Sequence, residues 1–241
     1  MARFDGLTAV VTGSAQGLGQ VFAVALASSG ARVAGFDMAD QGSTAALIGP
    51  SFEPFTVDVT DPDQVLRAVA AVGEAQILVN NAGIYPPIPF EETSVADLRR
   101  ILRVNVEGPF LVTQALLPCL RRAGWGRIVN IASAAVFAGP PDIVAYTASK
   151  AALIGLTRSL ATLLGPENIT VNTIAPGLTR TDTAARSTGA DGGFERVAAT
   201  QRVPRVAEPS DLVSTLLYVC DPGSAFLTGQ TINVDGGAAF L

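Results

Sequence analysis

The chain has 241 residues, 49% of them hydrophobic and only 15% charged, so it can bury a large core and is not composed like a disordered segment. A net charge of −5, from 16 basic and 21 acidic residues, speaks against nucleic acid or an anionic membrane as the main partner. With no histidine and only Cys119 and Cys220, a catalytic zinc site lacks its usual ligands, a Ser-His-Asp triad is impossible, and a reduced, cytoplasmic setting is expected.

The start, "MARFDGLTAVVTG", holds too short an apolar run for a secretory leader, and no run of about 18 apolar residues offers a membrane span. "LTAVVTG" (7–13) reads as a buried strand, and "QGLGQVFAVALASSG" (16–30) follows with helical spacing and a glycine stop. "ARVAGFD" (31–37) and "FEPFTVDV" (52–59) are the second and third strands. "TDPDQVLRAVAAV" (60–72) is a helix with a capping acid and Pro62 at its start. "QILVNNAG" (76–83) and "GRIVNIAS" (126–133) are the fourth and fifth strands, separated by a long helix near 94–122. A helix over about 143–164 leads into the strand "ITVNTIAPG" (169–177). "PSDLVSTLLYVC" (209–220) is the last helix and "QTINVDGG" (230–237) the last strand. Val/Ile/Leu-rich strands that alternate with crossover helices imply a parallel sheet covered on both faces. The expected architecture is a doubly wound, Rossmann-type α/β three-layer sandwich with about seven parallel strands, a single domain over 1–241. Residues 178–206, rich in Thr, Gly and charge, read as an irregular insert of the kind that serves as a lid.

Chemistry concentrates at the strand ends. Strand one runs into "TGSAQGLG" (12–19), where Gly13, Gly17 and Gly19 let the backbone turn tightly and approach a phosphate at the helix N-terminus, beside Gln16 and Leu18. Asp37 closes strand two, placed to accept hydrogen bonds from an adenosine ribose and to repel the extra phosphate of NADP. No Lys or Arg lies in "GSAQG" or in "DMADQGS" to neutralise that phosphate, so NAD is expected in preference to NADP. Asp58, followed by Val59 at the end of strand three, either reaches the adenine edge or caps the following helix. Asn80 and Asn81 satisfy strand-end backbone groups, and the small residues beside them fit a backbone running close to a ligand. Tyr146 and Lys150 in "YTASK" lie four residues apart, on one face of a helix. Without histidine, acid–base chemistry must use Tyr, Lys, Asp or Glu.

These motifs, with Asn105 in "VNVEGPF", Ser133 in "NIAS", Pro176–Gly177 and "TGQTINVDGG", occur in the order found in one family. Over essentially its whole length the chain resembles the short-chain dehydrogenase/reductases. The resemblance implies a nicotinamide-dependent oxidoreductase with Asn105, Ser133, Tyr146 and Lys150 as its catalytic set. It also implies cofactor contacts from the glycine turn, Asp37, Asp58, Val59, Asn81, Ala82, Gly83, Tyr146, Lys150, Pro176 and Gly177. Thr179 or Thr181 would hold the nicotinamide carboxamide. Tyrosine ordinarily titrates near ~10, and the lysine ammonium together with an oxidised nicotinamide is expected to lower that value. Ser133 would hold the substrate oxygen and Asn105 would relay protons through water. Ile84, Tyr85, Pro86, Pro87, Ile88, Val136, Phe137 and Ile143 are expected to form an apolar pocket mouth for a hydrophobic ketone or secondary alcohol. Three segments are similar to family members that oxidise aryl secondary alcohols. The alternatives are a 3-oxoacyl-(acyl-carrier-protein) reductase using NADPH and a non-catalytic NAD-binding sensor. Members of the family are mostly tetramers or dimers, and the apolar tail 238–241 is expected at a subunit interface.

Overall fold

The computed structural model describes residues 2–188 and 192–240. Seven parallel strands form one sheet in the order β3-β2-β1-β4-β5-β6-β7. They are β1 (Thr8–Thr12), β2 (Arg32–Asp37), β3 (Phe52–Thr56), β4 (Ile77–Asn80), β5 (Gly126–Ile131), β6 (Ile169–Pro176) and β7 (Thr231–Val234). Because parallel strands need a crossover, helices fill the gaps and cover both faces. They are α1 (Gly17–Ser28), α2 (Gly42–Ile48), α3 (Pro62–Val72), α4 (Val95–Leu102), α5 (Gly108–Ala123), α6 (Ala135–Ala138), α7 (Val144–Leu164), α8 (Asp182–Thr188), α9 (Gly193–Thr200) and α10 (Val213–Cys220).

Alternation along each strand divides the core in two. Val10, Phe36, Leu78, Ile128 and Val171 pack against α3, α5 and α7. Val11, Val33, Val79, Val129 and Ile174 pack against α1 and α10. All four residues of β4, six of β5 and eight of β6 are buried, which explains their unbroken apolar reading. The buried polar residues are cross-linked: Asn80 Nδ2 donates to Thr113 Oγ1 and Asn130 Oδ1, and Asn130 Nδ2 donates to Thr157 Oγ1. This seam fixes α5 and α7 on the sheet. Asn80 therefore bonds side chains, whereas Asn81 alone serves strand-end carbonyls, those of Thr12 and Gly13.

The reading of α3 holds in detail: Asp61 accepts hydrogen bonds from the amides of Asp63 and Gln64, and Pro62 opens the helix. The expected long helix near 94–122 is instead two. A π-helical turn, Arg103–Glu107, separates α4 from α5. Its cause is local. Pro109 has no N–H to offer the carbonyl of Asn105 four residues earlier, so the helix widens and the Gly108 amide bonds Arg103 instead. Nor are the described residues of the 178–206 insert irregular throughout. The insert carries α8 and α9, and the Thr181 hydroxyl caps the first turn of α8 by accepting from the Ala184 amide. Residues 189–191 of that insert lie outside the described residues, as does Leu241 of the tail.

Candidate active site

The strand order reverses between β1 and β4, and a cleft of about 770 Å³ opens there, at the carboxyl ends of the strands. It runs from the glycine turn and Asp37 to Ser133 and Tyr146, then on to α9 and the C-terminal turn. Every expected catalytic and cofactor-binding residue lines it except Gly19 and Asn105. Gly19 is spent on packing: a Cβ there would stand 2.0 Å from the carbonyl oxygen of Gly13. Asn105 is fully buried beneath the cleft.

The glycine end fits a dinucleotide phosphate. Gly13 has φ +69°, and a Cβ on it would press 2.9 Å from Ala82 Cα. Gly17, at φ +59°, meets nothing nearer than 3.7 Å, so bare backbone faces the cleft where α1 begins. Gln16 gives α1 no side-chain cap and its first turn holds no acid, which leaves the positive end of the helix for an anion. Asp37 is held on both oxygens, by the Ala15 amide and the Ala39 amide, each at 2.9 Å. Among the described residues the only cations lining the cleft are Lys150 and Arg196, and no ion pair reaches Asp37. Asp58 faces the cleft and also accepts from Thr60 N and Oγ1, a local turn ahead of α3; the cap of that helix is Asp61, so the capping role expected of Asp58 is not met. Thr179 donates to the Gly177 carbonyl, and Thr181 stands over Gly17.

At the other end three side chains converge. Ser133 follows β5, Tyr146 and Lys150 come from α7, and the Ser133 hydroxyl stands close enough to the Tyr146 phenol to favour its ionised form. Lys150 reaches under the tyrosine, its ammonium donating to the Ile131 carbonyl at 2.7 Å and lying 5.8 Å from the Tyr146 ring centre. Burial dominates both ionisations. It pushes the Tyr146 phenol up to about 12, against the opposing effect of the Ser133 hydroxyl and with help from the neighbouring Tyr85. Desolvation likewise draws the Lys150 ammonium down to about 8. The sequence expectation of a lowered phenol is thus not met by the lysine, whose ammonium is turned to a backbone carbonyl; the remaining contribution would have to arrive with the oxidised cofactor.

Asn105 is a clamp. Its Oδ1 accepts from Ile84 N at 2.8 Å, and its Nδ2 donates to Ile84 O and Ser149 Oγ, both at 3.0 Å. Ser149 Oγ in turn donates to the Tyr146 carbonyl. Both amide protons are engaged, leaving no side-chain N–H for the expected water relay.

The clamp sets Tyr85 edge-on to Tyr146, with ring centres 4.8 Å apart at 85°. Of the expected pocket mouth, only Ile84, Tyr85 and Ile143 line the cleft; Pro86, Pro87, Ile88, Val136 and Phe137 do not. Sequence reading missed the opposite wall, Val197, Thr200, Gln201, Ala238 and Ala239, because α9 and the C-terminal turn approach only in the folded chain.

A family model described as enoyl-(acyl carrier protein) reductase matches residues 13–239. Galactitol 2-dehydrogenase of Agrobacterium fabrum is 36% identical over 98% of both chains. The 3-oxoacyl-(acyl-carrier-protein) reductase of Aquifex aeolicus is 34% identical, again over 98% of both. A crystal structure of a putative NAD(P)-dependent gluconate 5-dehydrogenase from Beutenbergia cavernae, with bound NADP at low occupancy, superposes with a TM-score of 0.92 at 34% identity over 97% of each chain. Similarity of this extent makes the chain a member of the short-chain dehydrogenase/reductases, oxidoreductases that act on alcohols and ketones with a nicotinamide cofactor.

Proposed function

We propose that the protein moves a hydride between NAD, used in preference to NADP, and a hydrophobic secondary alcohol or ketone, aryl ones included. One observation carries the reading: Ser133, Tyr146 and Lys150 line the same cleft as the Asp37 carboxylate, which no ion pair among the described residues reaches. Bound nicotinamide supplies the hydride acceptor or donor. The chain supplies the rest. The Ser133 hydroxyl holds the substrate oxygen, and the Tyr146 phenol gives its proton to that oxygen in reduction or takes it in oxidation. A phenol held up to about 12 is a competent donor near neutrality, and it becomes a base once positive charge is brought beside it. Lys150, anchored on Ile131, turns its remaining N–H groups to the cleft, where they bind the nicotinamide ribose. Asn105 is a positioning residue. The Gly13–Gly19 turn takes the pyrophosphate, and Asp58, Val59, Asn81, Ala82, Gly83, Pro176, Gly177, Thr179 and Thr181 complete the dinucleotide contacts. Ile84, Tyr85, Ile143, Val197 and the C-terminal alanines favour an apolar substrate body over a sugar. Residues 178–206 serve as the lid.

The Aquifex aeolicus relative supports a second reading, an acyl reductase using NADPH. Mixing the protein with NAD or NADP and a panel of alkyl and aryl secondary alcohols, while following nicotinamide absorbance, separates the two. Turnover with NAD is expected, falling about 10²–10⁴-fold in Tyr146→Phe. Turnover confined to NADP would overturn the cofactor assignment and favour the acyl reductase.

A further inference from the structure

A buried polar cluster underlies the Asp37 end of the cleft, and the proposed reaction does not use it directly. Gln41 is only 4% exposed, and its carboxamide joins three segments. Its Oε1 accepts from Ser14 Oγ at 2.7 Å, and its Nε2 donates to the carbonyls of Gly35 at 3.1 Å and Phe55 at 3.0 Å. Those partners belong to the glycine turn, to β2 two residues before Asp37, and to β3 just before Val57–Val59 of the cleft wall. Room for this contact exists because position 35 is glycine: a Cβ there would stand 2.3 Å from Gln41 Oε1 and 2.6 Å from Ser14 Oγ. Thr44 and Gln20 extend the brace, Thr44 Oγ1 donating to the Ser14 carbonyl and Gln20 Nε2 to the Ala15 carbonyl. The segment thus fixed carries the Ala15 amide that holds Asp37, and Gln41 itself ends the short loop whose Ala39 amide holds the other carboxylate oxygen.

We propose that Gln41 is a specificity-determining positioning residue: by bracing the glycine turn to β2 and β3 it locks the Asp37 carboxylate so that a ribose diol is accepted and a ribose 2′-phosphate is refused. This rests on the NAD reading above. Charge repulsion alone would let Asp37 swing out and the 38–40 loop open around a phosphate. With both oxygens and the backbone behind them tied down, that escape is closed. Selectivity then resides in buried groups that never touch the cofactor.

The test is calorimetric titration of NAD and of NADP into the wild-type protein, Gln41→Leu and Ser14→Ala, with hydrogen exchange of the Ala15 and Ala39 amides in the cofactor-free chains. Gln41→Leu is expected to narrow the NAD:NADP ratio of dissociation constants by about tenfold, the scale of one lost hydrogen bond, with faster exchange at both amides. Ser14→Ala, which keeps the two backbone bonds of Gln41, should move the ratio the same way by less, and it carries the test if Gln41→Leu does not fold. Equal weakening of both cofactors, with the ratio unchanged, would make Gln41 merely structural and overturn the proposal. Tighter binding of NADP by the wild-type protein would instead sink the NAD reading, and the proposal with it.

Discussion

Tyr146 and Lys150 sit one helical turn apart on α7, yet the lysine hydrogen-bonds the Ile131 carbonyl rather than the phenol. Both groups consequently pay for burial, in opposite senses, and this should be visible in stability. The Lys150 ammonium falls from 10.5 to about 8, so between those values the unfolded chain holds a proton that the folded chain lacks, and stability rises with pH. The Tyr146 phenol rises from 10.0 to about 12, so above its unfolded value the folded chain holds the extra proton and stability falls again. Denaturant midpoints of the cofactor-free protein are expected to climb between about pH 8 and 10, by at most ~1.4 kcal/mol per pH unit, and Lys150→Met should abolish the climb. A flat wild-type profile would contradict the desolvation of Lys150. The pairing itself was legible from the i, i+4 spacing, since a helix brings those positions together whatever surrounds them. The direction of the phenol shift was not, because it depends on which acceptor the ammonium finds, and Ile131 comes from a strand 15 residues before Tyr146.

Strand ends and helix starts were the legible part of the fold, because each is written in neighbouring residues. The cap at Asp61–Pro62, the glycine turn after β1 and the apolar runs of β4, β5 and β6 all follow from local rules. What escaped was shorter or less periodic: α2 and α8 have only 7 residues each and α9 only 8, too few to show a repeat. The π turn escaped too, although its signal, a proline four residues after Asn105, was in plain view. That turn tests how an element serves the site. Pro109→Ala would restore a donor to the Asn105 carbonyl and let α4 and α5 run on as one α-helix. Thermal stability is expected to hold or rise, since the regular helix gains the N–H that Pro109 lacks. kcat/KM should nevertheless drop, about tenfold or more, as the Asn105 clamp on Ile84 and Ser149 turns out of register. A variant that loses stability and activity in step would mean that the π turn only packs; unchanged activity would mean that the clamp tolerates a regular helix.

At the scale of the whole molecule, the sheet has two edges of different character. β3 carries Glu53 and Pro54, which discourage pairing with another strand. β7 carries Thr-Ile-Asn-Val, pairs only with β6 among the described residues, and is half-exposed throughout. Large apolar side chains stand open on the segments around it: Tyr218 on α10, Phe226 before β7 and Phe240 after it, the last two at 105% and 80% exposure. Water-facing phenylalanines beside an unprotected edge strand are what a second copy would cover. A homodimer or homotetramer is therefore expected, with a solution mass that is a multiple of the 24.7 kDa protomer. Removing residues 238–241 would confuse two effects, because Ala238 and Ala239 also line the cleft and Ala239 is tied to Asp235 and Asn233. Phe226→Ser and Phe240→Ser separate them, since Phe240 lies just beyond the tied turn and Phe226 far from it. Sedimentation of the double variant should show smaller species while dinucleotide affinity stays within about twofold, because no dinucleotide-contacting side chain is touched. A wild-type mass of one protomer, or a double variant that still assembles, would remove this face as the interface. A loss of dinucleotide affinity together with assembly would instead tie the second copy to the shape of the cleft, through the turn that Asp235 holds.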